Sequence, residues 1–290
     1  MNTDLVSVII TTHNRLTLLQ RAINSVYSQT YKSIELIVVD DASTDDTPLF
    51  CQKQSFRYVY ISPKESKGGN YARNQGIRLA KGTYIAFLDD DDYWLPTKIE
   101  KQVELIKEKK NELVFCAKRF EFVEKSDIKY VDVFPKFINS GDLSNRILYT
   151  TVATTSDILV ARKALFEVGL FDESLHFWQE YELMIRLAQR SPFYFVNEIL
   201  CVYRIDVKDK QRLTNLYLPW QNAVKYIYQK HRNLYLRLSP IERVRVHLRI
   251  LVDAAKRCKA SGFKCKYYQK YFTWFVFSLP LRIWDRFVLR

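Results

Sequence analysis

Apolar and polar positions alternate in blocks along the first hundred residues. Residues 5–12 (LVSVIITT) form an apolar, β-branched run of strand length, after which Leu16, Leu19, Ala22, Ile23, Val26 and Tyr27 recur at helical spacing. A strand over 34–39, a polar loop over 40–46, a strand over 57–61, a helix over 70–80 and a strand over 83–88 follow in order. Repeated β-α-β units with near-continuous apolar strands predict an α/β fold, a mainly parallel central sheet with helices on both faces. In such sheets ligands bind in the crevice outside the carboxyl ends of the strands. The residues after Thr11, Val39 and Leu88 are therefore where chemistry is expected.

All three strand ends are polar: Thr11-Thr12-His13-Asn14-Arg15, Asp40-Asp41-Ala42-Ser43-Thr44-Asp45 and Asp89-Asp90-Asp91-Asp92. Carboxylates crowded on one sheet edge repel one another unless a cation or hydrogen-bond donors compensate. Clustered hard oxygen ligands suit Mg²⁺ or Mn²⁺, which take few protein carboxylates and complete their shells with phosphates and water. The plain alternatives are a turn and helix cap for 40–45, and a solvated acidic turn before a helix near Pro96 for Asp89–Asp92. Lys67-Gly68-Gly69-Asn70 opens a helix containing Arg73 and Asn74, but without the spacing of a P-loop it also reads as an ordinary helix entry. Among four histidines without ligand spacing, His13 lies nearest the expected cleft. Trp94 and Trp178 flank acidic segments, placed either to stack on a sugar or to pack the core.

Composition narrows the class. With 48% hydrophobic residues, 7 Gly and 8 Pro, a disordered or collagen-like chain is excluded. Five scattered cysteines without a C-x-x-C pair suggest neither a disulfide scaffold nor a zinc site, and a reducing cytoplasm is the expected home. The apolar stretch near the start lacks a preceding basic region, so no signal peptide is expected. The net charge of +13 is unevenly spread: residues 1–210 hold 28 Lys+Arg against 29 Asp+Glu, whereas residues 211–290 hold 17 against 3. The expected organisation is thus a nearly neutral catalytic domain, 1–210, and a basic helical C-terminal region, 211–290, that faces something anionic.

Four segments in order, VSVIITTHNR, ELIVVDDASTD, GTYIAFLDDDDYWLP and FWQEYELMIRLAQR, with LFEVGLFDESL ahead of the last, give the chain a clear likeness. Over about residues 5–205 it resembles the family 2 inverting glycosyltransferases of the nucleotide-diphospho-sugar transferase (GT-A) fold. The resemblance implies that Thr11 and Asp41 contact the ribose and base of a nucleotide, with Arg15 nearby; separately, Arg73, on the helix after Lys67-Gly68-Gly69-Asn70, is placed to reach the base. It implies that Asp89 and Asp90 line the ribose and sugar side, and that Asp91 is the main carboxylate for Mn²⁺ or Mg²⁺. Glu180 falls where the family has its catalytic base, although Gln179-Glu180 replaces the usual Glu-Asp; Glu182, expected to be solvated, and Asp172 are next in line. A Tyr-Arg-x-His pattern appears in part, as Tyr203-Arg204-Ile205-Asp206. The implied reaction transfers a hexose-type sugar from a nucleoside diphosphate sugar, UDP-linked, to a hydroxyl of a glycan or lipid-linked glycan acceptor in lipopolysaccharide, capsule or related polysaccharide biosynthesis. The rivals are a nucleotidyltransferase, disfavoured by the absence of a Gly-rich, Lys-containing first loop, and a non-catalytic membrane-associated protein on the same fold.

Beyond residue 210 the resemblance ends. Ser239-Pro240-Ile241-Glu242 is a capping-box start with Pro at the first helical position, and Gly262 a stop. Ile241, Val244, Leu248, Leu251 and Ala255 predict one apolar stripe, with Arg245, Arg249 and Lys256 beside it. Phe272, Trp274, Phe275, Phe277, Trp284 and Phe287 follow within a basic frame. Such a pattern describes a helix lying in an anionic membrane surface, with no nucleic acid as partner, or else a packed subdomain with a solvated basic face. The apolar run from 271 to 281 is far shorter than the ~20 residues of a spanning helix. Peripheral attachment to the inner face of the cell membrane is the expected location.

Overall fold

The computed structural model describes residues 4–124, 127–136, 138, 140–208, 216–263, 266–274 and 276–278. The chain divides into two compact units, one of residues 1–144 and 151–208, the other of residues 145–150 and 209–290.

The strands of the first unit are β1 (Val6–Thr12), β2 (Ile34–Asp41), β3 (Arg57–Ile61), β4 (Tyr84–Asp89), β5 (Tyr93–Trp94), β6 (Leu113–Glu124), β7 (Asp127–Val133), β8 (Leu159–Ala161) and β9 (Phe193–Asp206). They form one sheet in the order β3-β2-β1-β4-β8-β6-β9-β5, with β7 paired to β6. β1 runs parallel to β2 and β4, and β2 to β3, as the alternating pattern predicts. The short β8 is antiparallel to both β4 and β6, an insertion that three residues of sequence do not announce. In register, Thr11 lies between Val39 and Asp89, so the three polar strand ends finish side by side at one edge.

The helices are α1 (Leu16–Tyr27), α2 (Thr47–Cys51), α3 (Gly69–Leu79), α4 (Lys98–Lys109), α5 (Arg162–Val168) and α6 (Gln179–Ala188). Leu19, Ala22, Ile23 and Val26 of α1 and Ile99, Val103 and Ile106 of α4 share a core with Val6, Val8 and Ile10. Successive strand residues face opposite ways, so Ile9 belongs to the other face. There α3 comes so close that a Cβ on Gly76 would lie 2.6 Å from Ile9 Cγ2. Burying each Val, Ile or Leu in these layers stabilises the fold by about 1.5–3 kcal/mol, and the result is a rigid platform under the polar edge.

The second unit is helical: α7 (Tyr217–Lys230), α8 (Arg232–Arg237) and α9 (Pro240–Ala260). Ser239 caps α9 as expected; its hydroxyl accepts from Glu242 N, and the Glu242 carboxylate accepts from Ser239 N at 2.9 Å. The apolar stripe is only partly where its spacing placed it. Leu248 and Ala255 are buried together with Val246, Ala254 and Cys258, but Ile241 and Val244 are exposed, because the buried side of the helix is rotated at its first turns. Of the basic residues expected beside the stripe, Lys256 is exposed, Arg249 pairs with Asp253 and Arg245 lies over the Tyr149 ring; Arg257 lies over the ring of Trp220. Phe275, Trp284 and Phe287 of the aromatic run lie outside the described residues. No described helix is long and apolar enough to cross a membrane. Four cysteines, Cys51, Cys116, Cys201 and Cys258, are buried free thiols.

Candidate active site

The carboxyl edge begins with a loop built around Asn14. Asn14 has left-handed backbone, φ +54°, a conformation that Asn tolerates. Its N–H donates to Ser43 Oγ at 2.8 Å, and its Oδ1 accepts from Thr44 N at 2.7 Å and Asp45 N at 3.2 Å. One side chain thus locks the first strand end to the second. His13 Nδ1 donates to the Asp41 carbonyl at 2.6 Å and is exposed, consistent with its expected position beside the cleft. Asp40 turns into the core and accepts from Tyr58 Oη and Ser43 N, both at 2.9 Å. Asp41 points the other way, and its Oδ1 is buried with no hydrogen-bond partner among the described residues. Ala42, next to it, has φ +65°, a strain that a non-glycine residue sustains only where the surroundings hold it.

The four consecutive aspartates are not a solvated turn; they divide by parity. Asp90 and Asp92 are buried, whereas Asp89 and Asp91 remain partly open. Asp92 accepts from Ser156 Oγ at 2.6 Å and Arg204 N at 3.0 Å, and burial, followed by the charges of Asp91 and Asp89, holds its carboxyl well above the usual range. Asp90 accepts from Thr12 Oγ1 at 2.8 Å and Arg15 Nη1 at 3.1 Å. Burial raises its carboxyl to about 6 against the lowering effect of Arg15. Each Asp90 oxygen accepts one hydrogen bond, from Thr12 or Arg15, and so Asp90 helps to hold Arg15 beside the acidic strand end. Arg15 also reaches Asp91 Oδ2 at 3.3 Å. Thr11, half-buried, stands beside Asp89 in register.

Arg73 connects this edge to α6. It is buried, donating through Nη2 to Asp89 Oδ1 at 2.7 Å and through Nη1 to Gln179 Oε1 at 3.1 Å. A Cβ on Gly69 would come within 3.2 Å of Arg73 Nη1, so the glycine makes room for the guanidinium. The stretch 67–70 is therefore a helix entry: Gly68 takes φ +88°, and Asn70 Nδ2 donates to the Asp172 and Leu175 carbonyls.

Glu180 follows Gln179 in the first turn of α6, entered through Trp178 at φ +54°. It is half-buried, and burial raises its carboxyl above the ordinary glutamate value; hydrogen bonding to its own backbone N–H and the charge of Arg73 act in the lowering sense, and Asp89 in the raising one. Glu180 and Asp89 thus share one electrostatic environment around Arg73. Glu182 is not solvated as expected. It is fully buried and accepts through both oxygens from Arg186 Nε and Nη2, while Arg186 Nη1 donates to the Val168 carbonyl and Nη2 also to that of Leu170. Asp172 is turned to Ser174, accepting from its N–H at 3.0 Å and its hydroxyl at 2.6 Å. Trp94 is a core residue, with Nε1 donating to the Ser156 carbonyl at 2.8 Å and Lys98 Nζ over its ring at 4.0 Å.

Among the described residues, three of the five non-glycine residues with positive φ, namely Asn14, Ala42 and Trp178, directly adjoin or lie within two residues of Arg15, Asp41 and Glu180. Strain gathered in this way is a mark of a functional edge. An open groove of about 430 Å³ lined by Tyr31, Glu35, Phe56 and Arg57, among others, lies instead at the amino ends of β2 and β3 and contains none of these groups. No group of three or more His, Cys, Asp or Glu among the described residues could alone cage a metal ion. Asp91, a single partly open carboxylate, fits a cation whose remaining ligands come from a phosphate-bearing substrate and water.

Sequence comparison agrees with this geometry. An uncharacterized glycosyltransferase of Rickettsia prowazekii is 33% identical over 206 residues, covering 69% of this chain and 64% of that protein. The Escherichia coli protein WfaP, a UDP-Glc:alpha-D-GlcNAc-diphosphoundecaprenol beta-1,3-glucosyltransferase, is 40% identical over 159 residues, covering 54% of this chain and 61% of WfaP. The chain thus spans less than two thirds of the length of these relatives. In fold it is similar to the mannosyltransferase PcManGT of Pyrobaculum calidifontis, solved with GDP-Man and Mn²⁺, at a TM-score of 0.58 and 19% identity, covering 97% of this chain and 88% of that one. The profile of Glycosyl transferase family 2 matches residues 7–169. This chain belongs to glycosyl transferase family 2 and carries its GT-A fold.

Proposed function

We propose that the protein is a divalent-cation-dependent inverting glycosyltransferase that moves a hexose from a UDP-sugar to a hydroxyl of a lipid-linked glycan, in the assembly of a cell-surface polysaccharide. The observation that carries this reading is the joining of Asp89 and the Glu180 turn through the two arms of Arg73. Glu180 as the base is supported by its raised carboxyl, on which Arg73 and Asp89 both act. The name of the E. coli relative WfaP supports UDP-glucose as donor class and a polyprenyl diphosphate glycan as acceptor class.

The roles follow from the chemistry of each group. Asp41 Oδ1, an unused buried acceptor, suits the imide N–H of a uracil ring. Thr11, Asp89 and Arg15 flank the ribose and diphosphate, with Asp90 holding Arg15 in place. Asp91 would hold Mn²⁺ or Mg²⁺, whose Lewis acidity stabilises negative charge on a departing diphosphate. Glu180 accepts the acceptor hydroxyl's proton as that oxygen bonds to the anomeric carbon and the carbon–diphosphate bond breaks. One displacement of this kind inverts the anomeric centre.

In the second unit, Tyr268, Tyr271, Phe272 and Phe277 are exposed, and Lys259, Lys266 and Lys270 lie over the neighbouring rings of Tyr267, Phe263 and Tyr217. Aromatic rings with basic neighbours suit an anionic leaflet and would hold the enzyme on the cytoplasmic side, where its lipid-linked acceptor lies. The test is incubation with UDP-glucose, Mn²⁺ and a synthetic polyprenyl-diphosphate GlcNAc acceptor, with product stereochemistry read by NMR. A β-linked product from the α-linked donor supports the reading. An α-linked product, or no acceptor-dependent UDP release across a panel of UDP-sugars, overturns it.

A further inference from the structure

Thirty residues beyond Asp91, a buried glutamate is bonded to the side chains that hold its turn. Glu121 of β6 is 5% exposed. Its Oε2 accepts from Tyr93 Oη at 2.9 Å, and its Oε1 from Arg21 Nη1 at 3.5 Å. Arg204 of β9, directly opposite Glu121 in the parallel ladder, brings Nε to 3.6 Å from the same Oε1. Each partner in turn holds the turn that carries Asp91. Arg21 Nη2 donates to the Asp91 carbonyl, and the Arg21 guanidinium lies 4.7 Å from the centre of the Tyr93 ring. Arg204 N donates to Asp92, and Tyr93 is the residue that follows Asp92.

We propose that Glu121 is a positioning residue that fixes the Asp91 turn in the form that takes a divalent cation. The inference rests on the reading that Asp91 holds the cation. Two guanidinium groups brought to one place repel, and the Glu121 carboxylate is what lets Arg21 and Arg204 approach together. Without its charge Arg21 is free to leave the Asp91 carbonyl, and Tyr93 loses the acceptor that orients its ring. Partners that orient metal ligands in this way typically change metal affinity by about 10–100-fold when mutated. Gln at 121 keeps the shape and one acceptor oxygen, so it removes the charge with little change in packing.

The experiment titrates Mn²⁺ into the full chain with UDP present and reads the free aqua ion by electron paramagnetic resonance, so that no turnover is required. Glu121→Gln is expected to weaken Mn²⁺ binding about tenfold or more, while UDP binding without metal stays at the wild-type value. Arg21→Lys, which retains the charge but cannot reach Glu121 and the Asp91 carbonyl together, is expected to shift it similarly. The double variant should be no worse than the more affected single one, because both act through one chain of contacts. Wild-type Mn²⁺ affinity in folded Glu121→Gln and Arg21→Lys, with Asp91→Asn still impaired, overturns the role of Glu121 and leaves Asp91 standing. Should Glu121→Gln fail to fold, Arg21→Lys alone decides by the same criterion. Undiminished Mn²⁺ affinity in Asp91→Asn overturns the underlying reading, and the proposal with it.

Discussion

Glu180 sits in an environment that opposes its ionisation, and this makes its role measurable twice. As a base it must be ionised, so the acid limb of the turnover profile should lie above the ordinary glutamate value of ~4.3. Turnover that is flat down to pH 4, with binding intact, would remove Glu180 from that role. The stability effect has the opposite sense. A carboxyl whose folded pKa is raised carries no penalty below the unfolded pKa, and costs stability as pH rises through the folded one. Glu180→Gln should therefore bind UDP-sugar, transfer nothing, and melt higher than wild type at pH 7–8, with the gain vanishing near pH 4. Arg73 offers a second test at this scale. Its two arms and its position over the Phe171 ring require a planar fork, which Lys does not provide. Arg73→Lys should lower the rate on the order of 10²-fold through misplacement of the α6 start, with a much smaller effect on the melting temperature. A rate within twofold of wild type would show that Arg73 merely packs.

The close approach of α3 to β1 depends on a residue without a side chain, since a Cβ at Gly76 would lie 2.6 Å from Ile9 Cγ2 and 3.2 Å from Cδ1. Gly76→Ala should cost about 1–3 kcal/mol through overpacking, read as a lower urea midpoint, and should shift Arg73 on the same helix. An unchanged midpoint would mean that the helix slides freely on the sheet. At this scale the sequence was most legible where local pattern and tertiary role coincide: apolar β-branched runs gave β1, β2 and β4, and Ser239-Pro240-Ile241-Glu242 marked the start of α9. It was least legible where partners come from far along the chain. Glu182 reads as an exposed helix acid until Arg186 and the Val168 and Leu170 carbonyls are placed around it. The parity of the four aspartates depends on Ser156 and Arg204, and the hold on Arg21 depends on Glu121, none of which any local spacing connects to them. Asn14 could have been found, since an Asn ending a polar strand exit is suited to left-handed backbone and to bonding nearby amides. The phase of α9 could not, because Ile241 and Val244 fit the stripe as well as Leu248 does.

Over the whole molecule, charge is divided between the parts of the chain in a way that predicts where binding energy to a surface would arise. Residues 1–210 hold 28 basic and 29 acidic side chains and gain nothing from an anionic leaflet, while residues 211–290 hold 17 against 3. Each Lys or Arg near such a leaflet contributes ~1 kcal/mol, decaying over a Debye length of ~8 Å at physiological salt. A few engaged cations would suffice to hold the protein there. The full chain should co-sediment with vesicles of phosphatidylglycerol and phosphatidylcholine and stay in the supernatant with phosphatidylcholine alone. The exposed rings of Tyr268 and Phe272, four residues apart on one helical face, should add a part that salt does not screen. Replacing both with Ser is accordingly expected to leave low-salt binding largely in place but to abolish what persists at high salt. Equal sedimentation with neutral and anionic vesicles would assign the attachment to the rings alone. No sedimentation with either would return the basic helices to the role of a packed subdomain with a solvated face.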